Sequence, residues 1–110
     1  MSAGAMMRVA SRIIRTLPAP FGARAAEVIS MVQRMPTREE ARTMGRRRRA
    51  SLLGMFRPGN GGVPDAIVVF RRPILRASRS RRGARVHVSL TVLHELGHAL
   101  GLDEGAVAHL

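Results

Sequence analysis

A chain of 110 residues supports one modest hydrophobic core and no second domain, and the absence of cysteine excludes disulfides and thiolate metal sites. The formal charge is +12 and all nineteen basic residues are arginine, so phosphate and anionic lipid are attracted wherever those side chains cluster. Arginine, alanine, glycine and proline enrichment without lysine is also what a GC-rich coding sequence yields, which weakens the charge as a sign of adaptation.

Residues 6–17 place Met6, Val9, Ala10, Ile13, Ile14 and Leu17 at helical spacing, with Arg8, Arg12 and Arg15 on the other face. A surface helix packed on the core is expected, with residues 1–7 open to disorder. A basic, acid-free amphipathic start also fits an organellar transit peptide or a membrane-surface helix. No stretch has the apolar length of a secretory signal core or the ~20 apolar residues of a membrane-spanning helix.

Leu17-Pro18-Ala19-Pro20 ends the helix, since proline disfavours helical geometry in the residue before it. After a short turn at 22–27, Val28–Val32 reads as a strand closed by Pro36, although Ala23, Ala25, Ala26 and Glu27 allow a helix over 23–34. Residues 37–50 read as a mobile basic loop centred on Arg46-Arg47-Arg48-Arg49, because four adjacent like charges cannot be buried. The sharper reading of that run is a patch contacting an anionic partner, either nucleic acid or a membrane surface. No aromatic residue interleaves it, which argues against single-strand base stacking.

Leu52–Phe56 reads as a short strand ended by the turn Pro58-Gly59-Asn60-Gly61-Gly62. Ala66–Phe70 is the best strand by composition, and Pro73 beyond it suggests a sheet edge or a strand end. Residues 74–77 read as a further short strand or turn, and the basic 78–85 segment leads into a final helix. Over 86–93 an alternating pattern competes with a helical stripe of Val86, Leu90, Leu93, Gly97 and Leu100. The helix is preferred, because only the stripe continues past Leu93. Gly97 on it costs about 1 kcal/mol of propensity and suggests close packing.

His94-Glu95-Leu96-Gly97-His98 follows. On a helix, His94 and His98 project from one face and can share one ion, while Glu95 can take a proton from a metal-activated water. A catalytic zinc wants three protein ligands, and Gly101 permits the turn that brings a third back. Glu104 occupies the third-ligand place of the longer H-E-x-x-H-x-x-G-x-x-(H/D/E) pattern, with Asp103 the competitor. His87, roughly 10 Å along the axis from His94, is too far to share the ion. His109 reads as part of an exposed tail.

The Leu52-Leu53-Gly54 run, Pro64 through Ile74, and Thr91 through Glu104 together resemble a small bacterial metallopeptidase-like family with a minimal zincin fold. The resemblance spans roughly residues 8 to 110 and is most specific at the C-terminal motif. It implies a single α+β domain over 1–110, with a short mixed sheet packed on the C-terminal motif helix and an N-terminal helix beside it. It further implies zinc held by His94, His98 and Glu104, with Glu95 as base, and hydrolysis of peptide bonds in a peptide or protein substrate. Glutamate stands at the third-ligand place where such families usually carry aspartate. Substrate is expected to add to an edge strand near Ala66–Phe70. With no tyrosine in the sequence, Arg71 or Arg72 is the stand-in for stabilising the oxyanion.

Two other readings stay open: a metal-binding zincin-like protein without peptidase activity, and a basic nucleic-acid-associated protein in which the motif is incidental. The absence of cysteine and the resemblance together set a bacterial cytoplasmic location as the expectation, with organellar targeting the alternative.

Overall fold

The computed structural model describes residues 1–18 and 21–101. In chain order they form α1 (Ala3–Arg15), α2 (Phe21–Ala25), β1 (Ile29–Gln33), α3 (Arg38–Thr43), a 3-10 turn at Arg49–Ser51, β2 (Gly54–Arg57), β3 (Ala66–Phe70), α4 (Arg71–Ala77) and α5 (Arg81–Ala99). This is an α+β arrangement around one small mixed sheet. Among the described residues no helix is long and apolar enough to cross a membrane.

Every side chain of β3 is buried, and the reason is its position. It is the middle strand of the order β1-β3-β2, parallel to β1 (Ile29 opposite Ala66) and antiparallel to β2 (Gly54 opposite Val69). A strand covered on both faces reads as an unbroken apolar run, which is what Ala66-Ile67-Val68-Val69-Phe70 is. Of the two readings of Pro73, the sheet edge is therefore corrected and the strand end holds, since β3 stops at Phe70. Pro73 lies in the first turn of α4, where a backbone N–H has no intrahelical partner to lose. Residues 74–77 belong to that helix and are neither strand nor turn.

Ile67 and Val69 point to the larger core, shared with Met6, Ala10 and Ile14 of α1 and Val88, Val92 and Leu96 of α5. Val68 and Phe70 point the other way, under Leu52, with Met55 alongside. α1 starts at Ala3 because the Ser2 hydroxyl caps it, accepting the Ala5 N–H at 3.1 Å. Residues 3–7 are thus helical, and Ala5 and Met6 are buried.

The expected loop over 37–50 contains a helix held at both ends. Thr37 Oγ1 accepts the Glu40 N–H at 3.0 Å and Glu40 Oε1 accepts the Thr37 N–H at 2.9 Å, a reciprocal capping box. At the other end the Gly45 N–H donates to Arg42 O (3.0 Å) and the Arg46 N–H to Ala41 O (2.8 Å), with Gly45 at φ +72°. That pair of bonds is the Schellman reversal, which favours a residue free to take positive φ. The four arginines that follow remain exposed, as their mutual repulsion requires.

Glu40 also joins α3 to the sheet. Its carboxylate accepts from Gln33 Nε2 at 3.1 Å and pairs with Arg57 of β2. Burial alone would raise its pKa, but the Thr37 N–H, Arg57 and Gln33 together outweigh that and hold it below the usual range. A lowered carboxylate contributes stability that is present above its unfolded value and lost as pH falls through the folded one. Glu40→Gln is therefore expected to narrow the stability gap between pH 7 and the acid side of about pH 4. Urea midpoints of both proteins at each pH test this, and an unchanged gap would contradict the assignment.

Candidate metal centre

Helix α5 presents two apolar stripes, and packing selects one of them. Ala84, Val88, Val92, Leu96 and Ala99 are buried, whereas Val86 and Leu90 stand 51% and 59% exposed. The expected stripe through Val86 and Leu90 is thus corrected: the buried residues recur every three or four positions and face the sheet and α1. Glu95 lies within this buried sector, only 5% exposed, while His94 is exposed and His98 half-buried on its flank.

The two imidazoles converge. His94 Nε2 and His98 Nε2 are 3.2 Å apart, with ring centroids at 4.9 Å and planes at 79°. Two nitrogens each 2.0–2.1 Å from one tetrahedral ion would lie about 3.3 Å apart. The pair therefore fits a shared zinc in spacing and in donor chemistry. Among the described residues no cluster of three or more His, Cys, Asp or Glu side chains is placed to hold a metal. Glu104 and Asp103, the expected third ligand and its competitor, lie outside the described residues. The turn toward them begins as the sequence suggests: Leu100 caps α5 and Gly101 follows at φ +79°.

What fixes the depth of this helix is a missing side chain on β2. A Cβ at Gly54 would stand 2.4 Å from Thr91 Cγ2 and 2.8 Å from Val68 O of β3, so the Thr91 side chain rests directly on the β2 backbone. Thr91 precedes His94 by three residues and Glu95 by four, hence one turn. β2 is also an outer strand of the sheet. Because the Phe70 N–H donates to Leu53 O at 2.8 Å, antiparallel alternation turns the main-chain groups of Gly54 and Phe56 away from β3.

A cleft of about 410 Å³ opens over the motif, with Leu90, Thr91, His94, Glu95 and His98 on its helical side. Leu52, Leu53 and Gly54 form a second wall, and Met44, Arg46 and Ser51 a third. Sequence reasoning missed Arg46 as a cleft residue and chose Arg71 and Arg72 instead. Those two line a separate hollow with Arg34 and Arg76, and Arg71 Nε is engaged by Met1 O at 3.0 Å. The usable signals were the Thr37-x-x-Glu40 capping pattern, which makes 38–43 a helix and Gly45 its terminator, and the glycine inside a short strand, which marks close backbone approach. The substrate edge expected at Ala66–Phe70 is likewise corrected, since β3 is paired on both sides. His87 stands apart: its Nδ1 is 2.8 Å from Ser78 Oγ, which itself donates to Ile74 O at 2.6 Å.

A short mixed sheet laid on an H-E-x-x-H helix defines a zincin-like domain. Residues 25–110 match the family described as zincin-like metallopeptidase, and the chain belongs to that family. A search of curated proteins finds no match to this chain.

Gly54→Val is expected to destabilise the fold by about 1–3 kcal/mol by overpacking. Thr91→Ala in the same chain should recover part of that loss, because it vacates the nearest atoms. A double-mutant cycle by chemical denaturation measures the coupling, and strict additivity would contradict the contact.

Proposed function

We propose that the protein is a zinc-dependent peptidase whose metal is held by His94 and His98, with Glu104 as the third ligand and Glu95 as the general base. The observation that carries this is the convergence of the two Nε2 atoms at 3.2 Å in a cleft that also contains Glu95. When bound, zinc supplies a Lewis acid that polarises a carbonyl and acidifies water.

The chain's own residues supply the rest. Glu95 accepts a proton from the attacking water on its carboxylate and passes it to the nitrogen of the departing amine. Its burial keeps that carboxylate close to the reaction and away from bulk solvent. The outward main-chain groups of Gly54 and Phe56 offer an extended peptide antiparallel or parallel pairing at the rim of the cleft. Leu90, exposed one turn before His94, gives an apolar side chain of the substrate a surface to cover.

Wild-type protein is expected to bind one equivalent of zinc, and His98→Ala to lose it, as read by metal analysis after dialysis. Glu104→Gln should release zinc where Asp103→Asn retains it; the reverse result assigns the ligand to Asp103. Glu95→Gln should keep the metal and lower cleavage of a peptide library by about 10²-fold or more. Undiminished cleavage in that variant would sink the mechanism.

A further inference from the structure

We propose that this cleft selects acidic peptides, with a substrate carboxylate beside the scissile bond held by Arg46. The inference takes the peptidase reading for the site itself and adds residues that reading does not use. Arg46 lines the cleft of His94 and Glu95 and also lines an adjoining hollow of about 550 Å³. Among the described residues that second hollow is walled by Arg38, Arg42, Arg47 and Arg49 and by no acidic residue. The two meet at Arg46, so a chain leaving the motif on that side enters a row of guanidinium groups.

Arg46 is no loose tail of a charge run. Its backbone is pinned by the Schellman bond to Ala41 O at 2.8 Å, which fixes where its side chain starts relative to the cleft. Among the described residues the ion pairs are Arg24 with Glu27 and Asp65, and Arg57 with Glu40, so none involves this row. The nearby Glu40 is committed to Arg57, Gln33 and Thr37, and Glu39, although on α3, lines neither hollow. A row of cations facing one trough repels itself, and carboxylates from a substrate relieve that repulsion with forked hydrogen bonds. Among the described residues no Phe, Tyr or Trp lines either hollow, so a stacking platform of the kind that holds single-stranded nucleic acid is lacking, which favours a peptide. With Leu90 exposed in the same cleft, the preferred substrate pairs an apolar residue over Leu90 with acidic residues toward Arg46.

The test uses short labelled peptides in matched pairs, one carrying Asp and Glu and the other Asn and Gln at the same places. Binding is measured by fluorescence anisotropy with full-length Glu95→Gln protein at physiological ionic strength, and cleavage with the zinc-loaded wild-type chain. The acidic peptide should bind about tenfold more tightly, with the advantage falling as salt rises. Arg46→Ala together with Arg42→Ala should abolish the advantage, and Arg46→Glu should shift preference toward a basic peptide. Arg12→Glu, on α1 and outside both hollows, should leave it unchanged.

Equal affinity for the two peptides, or an acidic preference that survives Arg46→Glu, overturns the inference. So does an oligonucleotide that binds more tightly than the acidic peptide and depends on the same arginines. Acidic binding without cleavage of any peptide supports this inference and defeats the peptidase reading. Equal cleavage of both peptides does the opposite.

Discussion

The contact between Gly54 and Thr91 sets the geometry on which everything else depends. A three-stranded sheet offers a helix little area, so α5 must lie close to gain burial from Val88, Val92 and Leu96. Closeness at β2 is possible only because residue 54 has no side chain. The same approach places the motif one turn along the helix, against the outer strand, where main-chain groups face outward. Core packing and the candidate site are therefore one arrangement, and a change that lifts the helix off β2 disturbs both.

How much of this the sequence reveals differs element by element. β3 is legible because a central strand must be apolar at every position, and 66–70 is. The motif helix is legible because the spacing of His94 and His98 and the terminating Gly101 agree with each other. The stripe on that helix is not, since Val86-Leu90 and Val88-Val92-Leu96 are both apolar and only packing against the sheet and α1 decides between them. The stretch from 37 to 50 misleads in another way. Its arginines dominate the composition, but a six-residue helix depends on its caps more than on its charge, and Thr37, Glu40 and Gly45 provide both. The third ligand stays with the sequence motif, because residues 103 and 104 lie outside the described residues.

The arginines show why composition and position answer different questions. A GC-rich coding sequence explains how many there are and says nothing about where they go. Arg57 ties β2 to α3 through Glu40, and Arg24 pairs with Asp65, whose carboxyl is held below the usual range first by the Gly59 N–H and then by Arg24 itself. These two act within the fold. Arg38, Arg42, Arg46, Arg47 and Arg49 instead share one trough that adjoins the motif.

The two groups of arginine are linked through α3. Its capping box and the Glu40 to Arg57 pair anchor the N-terminal end to the sheet, and the Schellman reversal at Gly45 then launches Arg46 along the cleft wall. The wall carrying Arg46 thus follows a short helix attached by ionic and hydrogen-bonded contacts as well as by the buried Ala41, while the motif helix buries a longer apolar face. Burial changes little with pH or salt, whereas the α3 attachment depends on an ionised carboxylate and on Coulomb attraction that salt screens. It follows that the two walls of the cleft differ in their response to conditions. Acid or high ionic strength should loosen the arginine wall first and leave His94, Glu95 and His98 in register on α5. The arginine wall would then give way before the candidate metal site does, and the order of those losses follows from which force holds each wall.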